Sequence, residues 1–474
     1  MVPYRMDSAG QGQEVAAESG LSWLLFLGIW GVMALASVIM LAMQVNWIVV
    51  AALMSLPTFL GIAWRPMFGL SLMCALMPFG QAISIKGVFS AEHGIGILFA
   101  VGSALNILAT RKRLRLFNIP TLALFSLTLL AVLSITWATY AELAAQHVPT
   151  LAQMFIYIVL VITICREEQD LRWPLTVFVF SCVGALAMLM LAGRGIQEQE
   201  QRLTVVVGET VLNPNAFGVG LSLGFMTALY LFIKRSFGPW RWLYTISFVV
   251  LPMGVILSGS RKAVLFLAIA PVLPLLMSPW ALRRLRVLFG LIFLGGLLAV
   301  TTYFTVEYLL PKSVLYRLTD VGYAAQSFWK RYSFIEDAIQ YVSLHPLGAG
   351  LGNFRARSGI QVHNDFFFLF ADLGFLGAAI FAAFASAMVF TAARMRAGID
   401  KWYASAIVAF LLLIGTDGTW IFGKEYWLFT TVAWLVGTFQ AQAAAGETRS
   451  LQLPSLDQAP AAAPLRASPS LGGG

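Results

Sequence analysis

Apolar runs of near-bilayer length alternate with short polar or basic segments along almost the whole chain. They fall at roughly 21–43, 47–64, 66–85, 94–110, 119–138, 148–165, 173–193, 214–233, 240–258, 263–280, 287–306, 363–392, 402–418 and 425–442. A helix rises about 1.5 Å per residue, so a run of about 20 apolar residues covers the hydrocarbon core of a bilayer. The pattern predicts an all-α polytopic membrane protein of 12–14 transmembrane helices, the lower number applying if 47–64 and 66–85 form a re-entrant pair. An even number puts both termini on one side. The expected organisation is a polar cytoplasmic tail at 1–20, membrane helices over 21–306, a loop at 307–362, further membrane helices over 363–445 and a disordered cytoplasmic tail at 446–474. Inside the loop, Phe328, Tyr332, Ile335, Ile339 and Val342 recur at helical spacing between charged residues. They predict an amphipathic helix that lies on the membrane surface or caps a cavity.

Composition sharpens this reading. Of 474 residues, 59% are hydrophobic and 11% charged, too apolar for a soluble chain of that length. The formal charge of +9 raises nucleic acid as a partner, but the basic residues fall in short clusters between apolar runs. Arg111 to Arg115, Arg166 with Arg172, Lys234-Arg235 with Arg241, Arg283-Arg284 with Arg286, and Arg394 with Arg396 and Lys401 all occupy loops of one parity. That is the positive-inside pattern, which assigns those loops and both termini to the cytoplasm of a plasma membrane protein. Cys74, Cys165 and Cys182 lie inside apolar runs, so neither a disulfide nor a zinc site is expected.

The other face carries the candidate chemistry. His93, His147, His345 and His363 fall there, with a second basic set: Arg194, Arg202, Arg261, Lys262, Lys330, Arg331, Arg355 and Arg357. Arg261 stands in Leu257-Ser-Gly-Ser-Arg-Lys-Ala, between two apolar runs with almost no loop. A planar guanidinium there suits phosphate or pyrophosphate, because it donates two parallel hydrogen bonds. Arg202 is a further anion-binding candidate, ahead of Asn213-Pro-Asn215, whose asparagines read best as helix caps with Pro214 in the first turn. His363 precedes Asn364 and Asp365 where a polar loop enters an apolar run. A neutral imidazole there suits a general base, with Asp365, Asp372 or Asp417 to orient it. Asp417 equally suits pairing with an arginine. Gly348, Gly350 and Gly352 read as a tight turn, a phosphate cradle being a weak alternative. No pair of His or carboxylates on this face has metal-ligand spacing, so neither a metal nor another cofactor is expected. A lipid-linked solute transporter is the competing class. It would carry its charges near the bilayer midplane and not at one face.

Taken together, Ser258-Gly-Ser-Arg261, His345-Pro-Leu-Gly-x-Gly-x-Gly-x-Phe354, His363-Asn-Asp and Leu373-Gly-x-x-Gly377 resemble the O-antigen ligase and polymerase superfamily. That superfamily also holds O-linked protein oligosaccharyltransferases. The resemblance spans roughly residues 20–442. It implies a membrane-embedded glycosyltransferase of the bacterial inner membrane, working at the periplasmic face without metal. Its donor would be O-antigen on undecaprenyl pyrophosphate and its acceptor lipid A-core, with membrane lipids around both and no nucleic acid. Residue by residue, the resemblance implies His363 as the catalytic base, Arg202 and Arg261 on the pyrophosphate, and Asp417 as the late acidic residue. Arg331, Asn364 and Asp365 take supporting places. The modest periplasmic loop favours the lipopolysaccharide ligase branch, with polymerase and protein transferase as alternatives.

Overall fold

In a hydrocarbon core a backbone must satisfy its own amides and carbonyls, so long apolar stretches fold as helices. The computed structural model describes residues 26–34, 36, 47–79, 84–85, 89–191, 196–199, 202–207, 210–211, 213–234, 241–272, 295–296, 299–309, 315, 319–360, 362–416 and 418–452. Its helices are α1 (Trp47–Trp64), α2 (Pro66–Leu76), α3 (Ala91–Ala109), α4 (Ile119–Ser134), α5 (Ala141–Ile164), α6 (Glu168–Leu191), α7 (Pro214–Ile233), α8 (Arg241–Leu257) and α9 (Arg261–Ile269), followed by α10 (Val321–Leu344), α11 (Asn353–Ser358), α12 (Asp365–Arg394), α13 (Ile399–Gly415) and α14 (Lys424–Gln452). Among the described residues, five stretches are long and apolar enough to cross a membrane: Glu92–Ala109, Ala141–Ile164, Glu168–Met188, Pro214–Ile233 and Asp365–Arg394. Shorter apolar helices cover Leu53–Trp64, Pro66–Phe79, Ile119–Ser134 and Arg241–Leu257. The fold is an all-α polytopic membrane protein. α2, with 11 residues, rises only about 16 Å, about half the apolar thickness. The spans read at 21–43 and 287–306 extend beyond the described residues, as does the tail from 453 onwards. α14 itself continues past Ala445 to Gln452.

The sequence pattern foretold no strands, and here the structure differs. A three-stranded antiparallel sheet, β3 (Ile196–Gln199), β4 (Arg202–Val207) and β5 (Thr210–Val211), follows α6, and a two-residue pair, β1 (Ser84–Ile85) and β2 (Phe89–Ser90), precedes α3. The run Leu203-Thr-Val-Val-Val207 is rich in β-branched residues, which favour a pleated strand over a loop.

Two ends of the bundle are tied by different chemistry. At one end Lys234 sits between Glu168 at 3.0 Å and Asp400 at 2.8 Å, and Tyr230 donates to Asp400. This draws together the start of α6, the end of α7 and the start of α13, where several of the basic clusters fall. At the opposite end the links are mostly to backbone. Ser134 Oγ accepts from Leu351 N (3.2 Å), Asn353 Oδ1 accepts from Tyr140 N (2.6 Å), and Asp365 Oδ1 accepts from Trp420 N (2.7 Å) and Ile421 N (3.1 Å). Between the ends lies one large core of apolar side chains, in which Cys74, Cys165 and Cys182 are buried and free.

α12 positions the site by breaking. Its 30 residues would reach about 45 Å if straight, whereas α13, which returns beside it, has 17 and reaches about 26 Å. Yet Asp365 at the start of α12 is hydrogen-bonded just past the end of α13. The difference is absorbed at Gly374, whose φ of 66° and ψ of −158° are not helical. The arm beyond it covers about 31 Å, close to the hydrocarbon thickness. The arm before it, Asp365 to Leu373, folds back towards α13 over the end of the bundle.

Candidate active site

A helix break leaves amides and carbonyls without partners. Here the glycine-rich loop supplies them. Phe375 N donates to Pro346 O (3.2 Å), Ala349 N to Ala371 O (3.0 Å) and Gly350 N to Asp372 O (2.8 Å). The fit is close enough that a methyl group at Gly374 would run into the Pro346 carbonyl oxygen, and one at Gly348 would meet Gly374 N at 2.5 Å. Gly348, Gly350 and Gly352 all have φ between 75° and 92°, a region where a side chain is strained.

Asp372 completes the clamp. Buried at 1% exposure, its Oδ2 accepts from Gly352 N (2.7 Å) and its Oδ1 from Phe354 N (3.0 Å). The loop amides are thus directed into the protein and not towards a ligand. The tight-turn reading of the three glycines holds, and the phosphate-cradle alternative does not.

The same clamp sets the height of α11, which follows the loop and carries Arg355 and Arg357, both exposed. After α11 the chain passes through Val362, whose carbonyl accepts from Thr419 Oγ1 (3.2 Å), to His363. Asn364 then caps α12. Its Oδ1 accepts from Phe367 N (3.1 Å) while its Nδ2 donates to Thr416 O (3.2 Å). The cap frees His363 from that duty and fixes it against the loop between α13 and α14.

His363 is half-buried, and its imidazole is held down to about 4 from an ordinary 6.5. Burial is the main cause, followed by the positive charges of Arg331, Lys262 and Arg355. α9, α10 and α11 thus each deliver a cation to one imidazole. Lys262 and Arg261 occupy the first turn of α9, where Ser260 acts as the cap, its Oγ accepting from Ala263 N (3.4 Å). Cations at a helix N-terminus add to its positive end instead of offsetting it. The resulting field attracts an anion and leaves the imidazole neutral at pH 7.

Neither Asp365 nor Asp372 orients His363. Asp365 is fully buried, and its Oδ1 is taken by Trp420 N and Ile421 N. Asp372 is taken by the loop amides. Both carboxylates hold backbone in place, which corrects that part of the sequence reading. Asp417 falls outside the described residues, although its neighbour Thr416 is the carbonyl that receives Asn364. Arg202 opens β4, paired with Gln199, and its side chain is outside the described residues. Asn213 caps α7 as expected, with Pro214 in its first turn. The structure therefore gathers His363, Arg331, Lys262 and Arg355, with Arg261 beside Lys262 in the first turn of α9. Sequence reasoning passed over Lys262 and Arg355 as partners of the imidazole. The signal for Lys262 was its adjacency to Arg261.

Residues 246–382 match a family model described as O-Antigen ligase. That stretch, under a third of the 474 residues, is similar to the O-antigen ligase family. The matched stretch runs from within α8 to the inner arm of α12. It includes Arg261, the glycine-rich loop, His363 and the break at Gly374, while Arg202 and Asp417 lie outside it. No curated protein sequence matches the chain. The match supports a likeness to the O-antigen ligase and polymerase superfamily, whose members carry out glycosyl transfer from lipid-linked glycans.

Proposed function

We propose that the chain is a lipopolysaccharide ligase of the bacterial inner membrane, with His363 facing the periplasm and both termini in the cytoplasm. The observation that carries the reading is a half-buried histidine at the mouth of α12 whose imidazole is disfavoured as a cation by burial and by positive charges from three helices. A base and an anion site belong together when a proton is removed from one substrate while a pyrophosphate leaves the other. The donor is O-antigen on undecaprenyl pyrophosphate, and the acceptor is lipid A-core.

In the reaction a hydroxyl oxygen of the acceptor attacks the anomeric carbon of the donor sugar. The new carbon–oxygen bond forms as the bond to pyrophosphate breaks, and the electron pair departs with the pyrophosphate. His363 takes the hydroxyl proton as general base. A single displacement of this kind inverts the anomeric carbon. Arg261, with Lys262 and the N-terminus of α9, meets the charge that grows on the leaving group, and Arg202 adds to it. Charge neutralisation falls to these cations, and transfer is expected to proceed without a divalent metal. Two reactants already anchored in a bilayer lose less freedom on meeting, which lowers the entropic part of the barrier.

The test is transfer in vitro with the purified full chain, lipid-linked glycan and lipid A-core, with and without EDTA. Transfer is expected in both conditions, and His363→Ala should lower it about 10²- to 10⁴-fold with unchanged expression and thermal unfolding. Near-normal transfer by a stable His363→Ala protein overturns the assignment. Loss in EDTA with recovery on adding magnesium overturns the metal-free chemistry.

A further inference from the structure

α11 sends its two arginines different ways. Residues two apart on a helix do not share a face, and while Arg355 contributes to the field at His363, Arg357 turns to Tyr341. Its guanidinium lies 5.4 Å from the Tyr341 ring centre, and its Nη1 donates to the Tyr341 hydroxyl at 3.4 Å. The ring of His345 is tilted against the same tyrosine at 4.6 Å. Arg357 forms no ion pair with a carboxylate among the described residues. From His345 to Asn364 the chain contains no Asp or Glu at all. An arginine held by an aromatic ring and one weak hydrogen bond keeps most of its five N–H donors for something else.

An apolar surface adjoins this cluster. Leu344 is 74% exposed, Leu347 52% and Phe375 59%. The bond from Phe375 N to Pro346 O joins the segment of Leu344 and Leu347 to the start of the long arm of α12. This surface lies at the break in α12, about 31 Å along that helix from Arg394, which is the level of the bilayer's outer boundary when the other end sits at the inner one. A cation with aromatic rings beside exposed apolar side chains at that level matches a lipid whose phosphate sits at the interface and whose chains lie below it.

We propose that Tyr341, His345 and Arg357 hold a phosphate group of the acceptor glycolipid, with Leu344, Leu347 and Phe375 against its acyl chains. The occupant is the acceptor and not the donor because Arg357, turned to Tyr341, is not among the cations that act on His363. It is also joined to them through one short helix, so a lipid anchored by Arg357 delivers its saccharide towards the imidazole. The proposal rests on the ligase reading and adds to it a site that selects phosphorylated acceptors.

The experiment compares initial transfer rates of the full chain and of Arg357→Gln against acceptor concentration, using lipid A-core with its phosphates and the same glycolipid after phosphatase treatment. Arg357→Gln should raise the acceptor KM about tenfold, equal to about 1.4 kcal/mol, and leave kcat and the donor KM unchanged. The difference should vanish on the dephosphorylated acceptor. Tyr341→Phe should give a smaller shift in the same direction. A loss that is equal on both acceptors, or that falls on the donor KM, overturns the proposal. So does relief of the effect by phosphatidylglycerol at matched concentration, which would make the occupant bulk lipid. Acceptor binding without donor, followed by thermophoresis, separates this idea from the ligase reading. Phosphate-dependent binding lost in Arg357→Gln supports the site even if no transfer is seen. Transfer by an Arg357→Gln protein with normal acceptor KM refutes the site alone.

Discussion

The field around His363 makes a claim about pH. Its imidazole titrates at about 4 in the protein against 6.5 ordinarily. At pH 7 it is almost wholly neutral, and so available as a base, but it is also a weaker base than a free histidine. Bringing a pyrophosphate beside Arg331, Lys262 and Arg355 offsets their charge and lets the imidazole recover basicity when the donor arrives. The acid limb of kcat/KM, which reports the free enzyme, should then lie near pH 4. The acid limb of kcat, which reports the substrate-bound enzyme, should lie higher.

Arg331→Gln isolates one of the three charges. A neighbouring unit charge in largely aqueous surroundings is worth on the order of 0.5–1 kcal/mol, so its removal should raise the acid limb of kcat/KM by about half a pH unit. Burial is the larger cause of the depression and stays in place, so the limb should remain well below 6.5. The measurement is transfer rate from pH 3.5 to 8 with a dephosphorylated acceptor, because phosphate monoesters titrate near pH 6 themselves. The same shift affects stability. The unfolded chain takes up this proton first as pH falls, so the group imposes no penalty above about pH 6.5. Below that the penalty grows, and it levels off under about pH 4. A wild-type kcat/KM limb at pH 6–7 that ignores Arg331→Gln would falsify the proposed field.

Three further outcomes follow from the geometry. Arg261→Lys should fail to rescue Arg261→Ala in transfer assays, since lysine keeps the charge and loses the two-point contact; substantial rescue would mean that bulk charge suffices. Asp372→Asn should lower stability by about 1–3 kcal/mol, read by denaturation in detergent, because an amide cannot accept from both Gly352 N and Phe354 N without turning its NH₂ towards one of them. Arg355→Ala, by contrast, leaves the clamp intact and should change the pH profile but not the unfolding midpoint.

How much of this was legible in the sequence depended on the kind of interaction. The long apolar helices and the cap at Asn213 follow from local rules that a sequence states outright. His363 stood out because an ionisable side chain at the mouth of an apolar run needs a reason. The carboxylates misled because Asp365 and Asp372 look alike in sequence whether they face a histidine or backbone amides. That choice is made by long-range approach, from residue 372 back to 352 and 354, and from 365 forward to 420 and 421. The sheet at 196–211 was hidden by its setting among membrane helices, although its β-branched run was visible. The break at Gly374 was present only as a glycine inside an apolar run, which by itself is compatible with an unbroken helix.

The glycine-rich loop and the pair Leu373-Gly374 form one device, and Gly374→Ala tests it. The break exposes backbone groups that only the loop satisfies, and the loop has positive φ values that only glycine adopts easily. Neither half is stable without the other. A methyl group at Gly374 would collide with the Pro346 carbonyl oxygen, and φ near 66° adds strain, so the loop must detach or the helix straighten. A straightened α12 would carry Asp365 away from Trp420 and Ile421, and His363 with it. The expected result is loss of transfer together with new protease sensitivity between about 345 and 362, while the inner spans keep their helical signal. If transfer falls but the loop stays protected and the unfolding midpoint is unchanged, then the break does not position the site. The coupling between helix and loop would then have no part in bringing His363 to its cations.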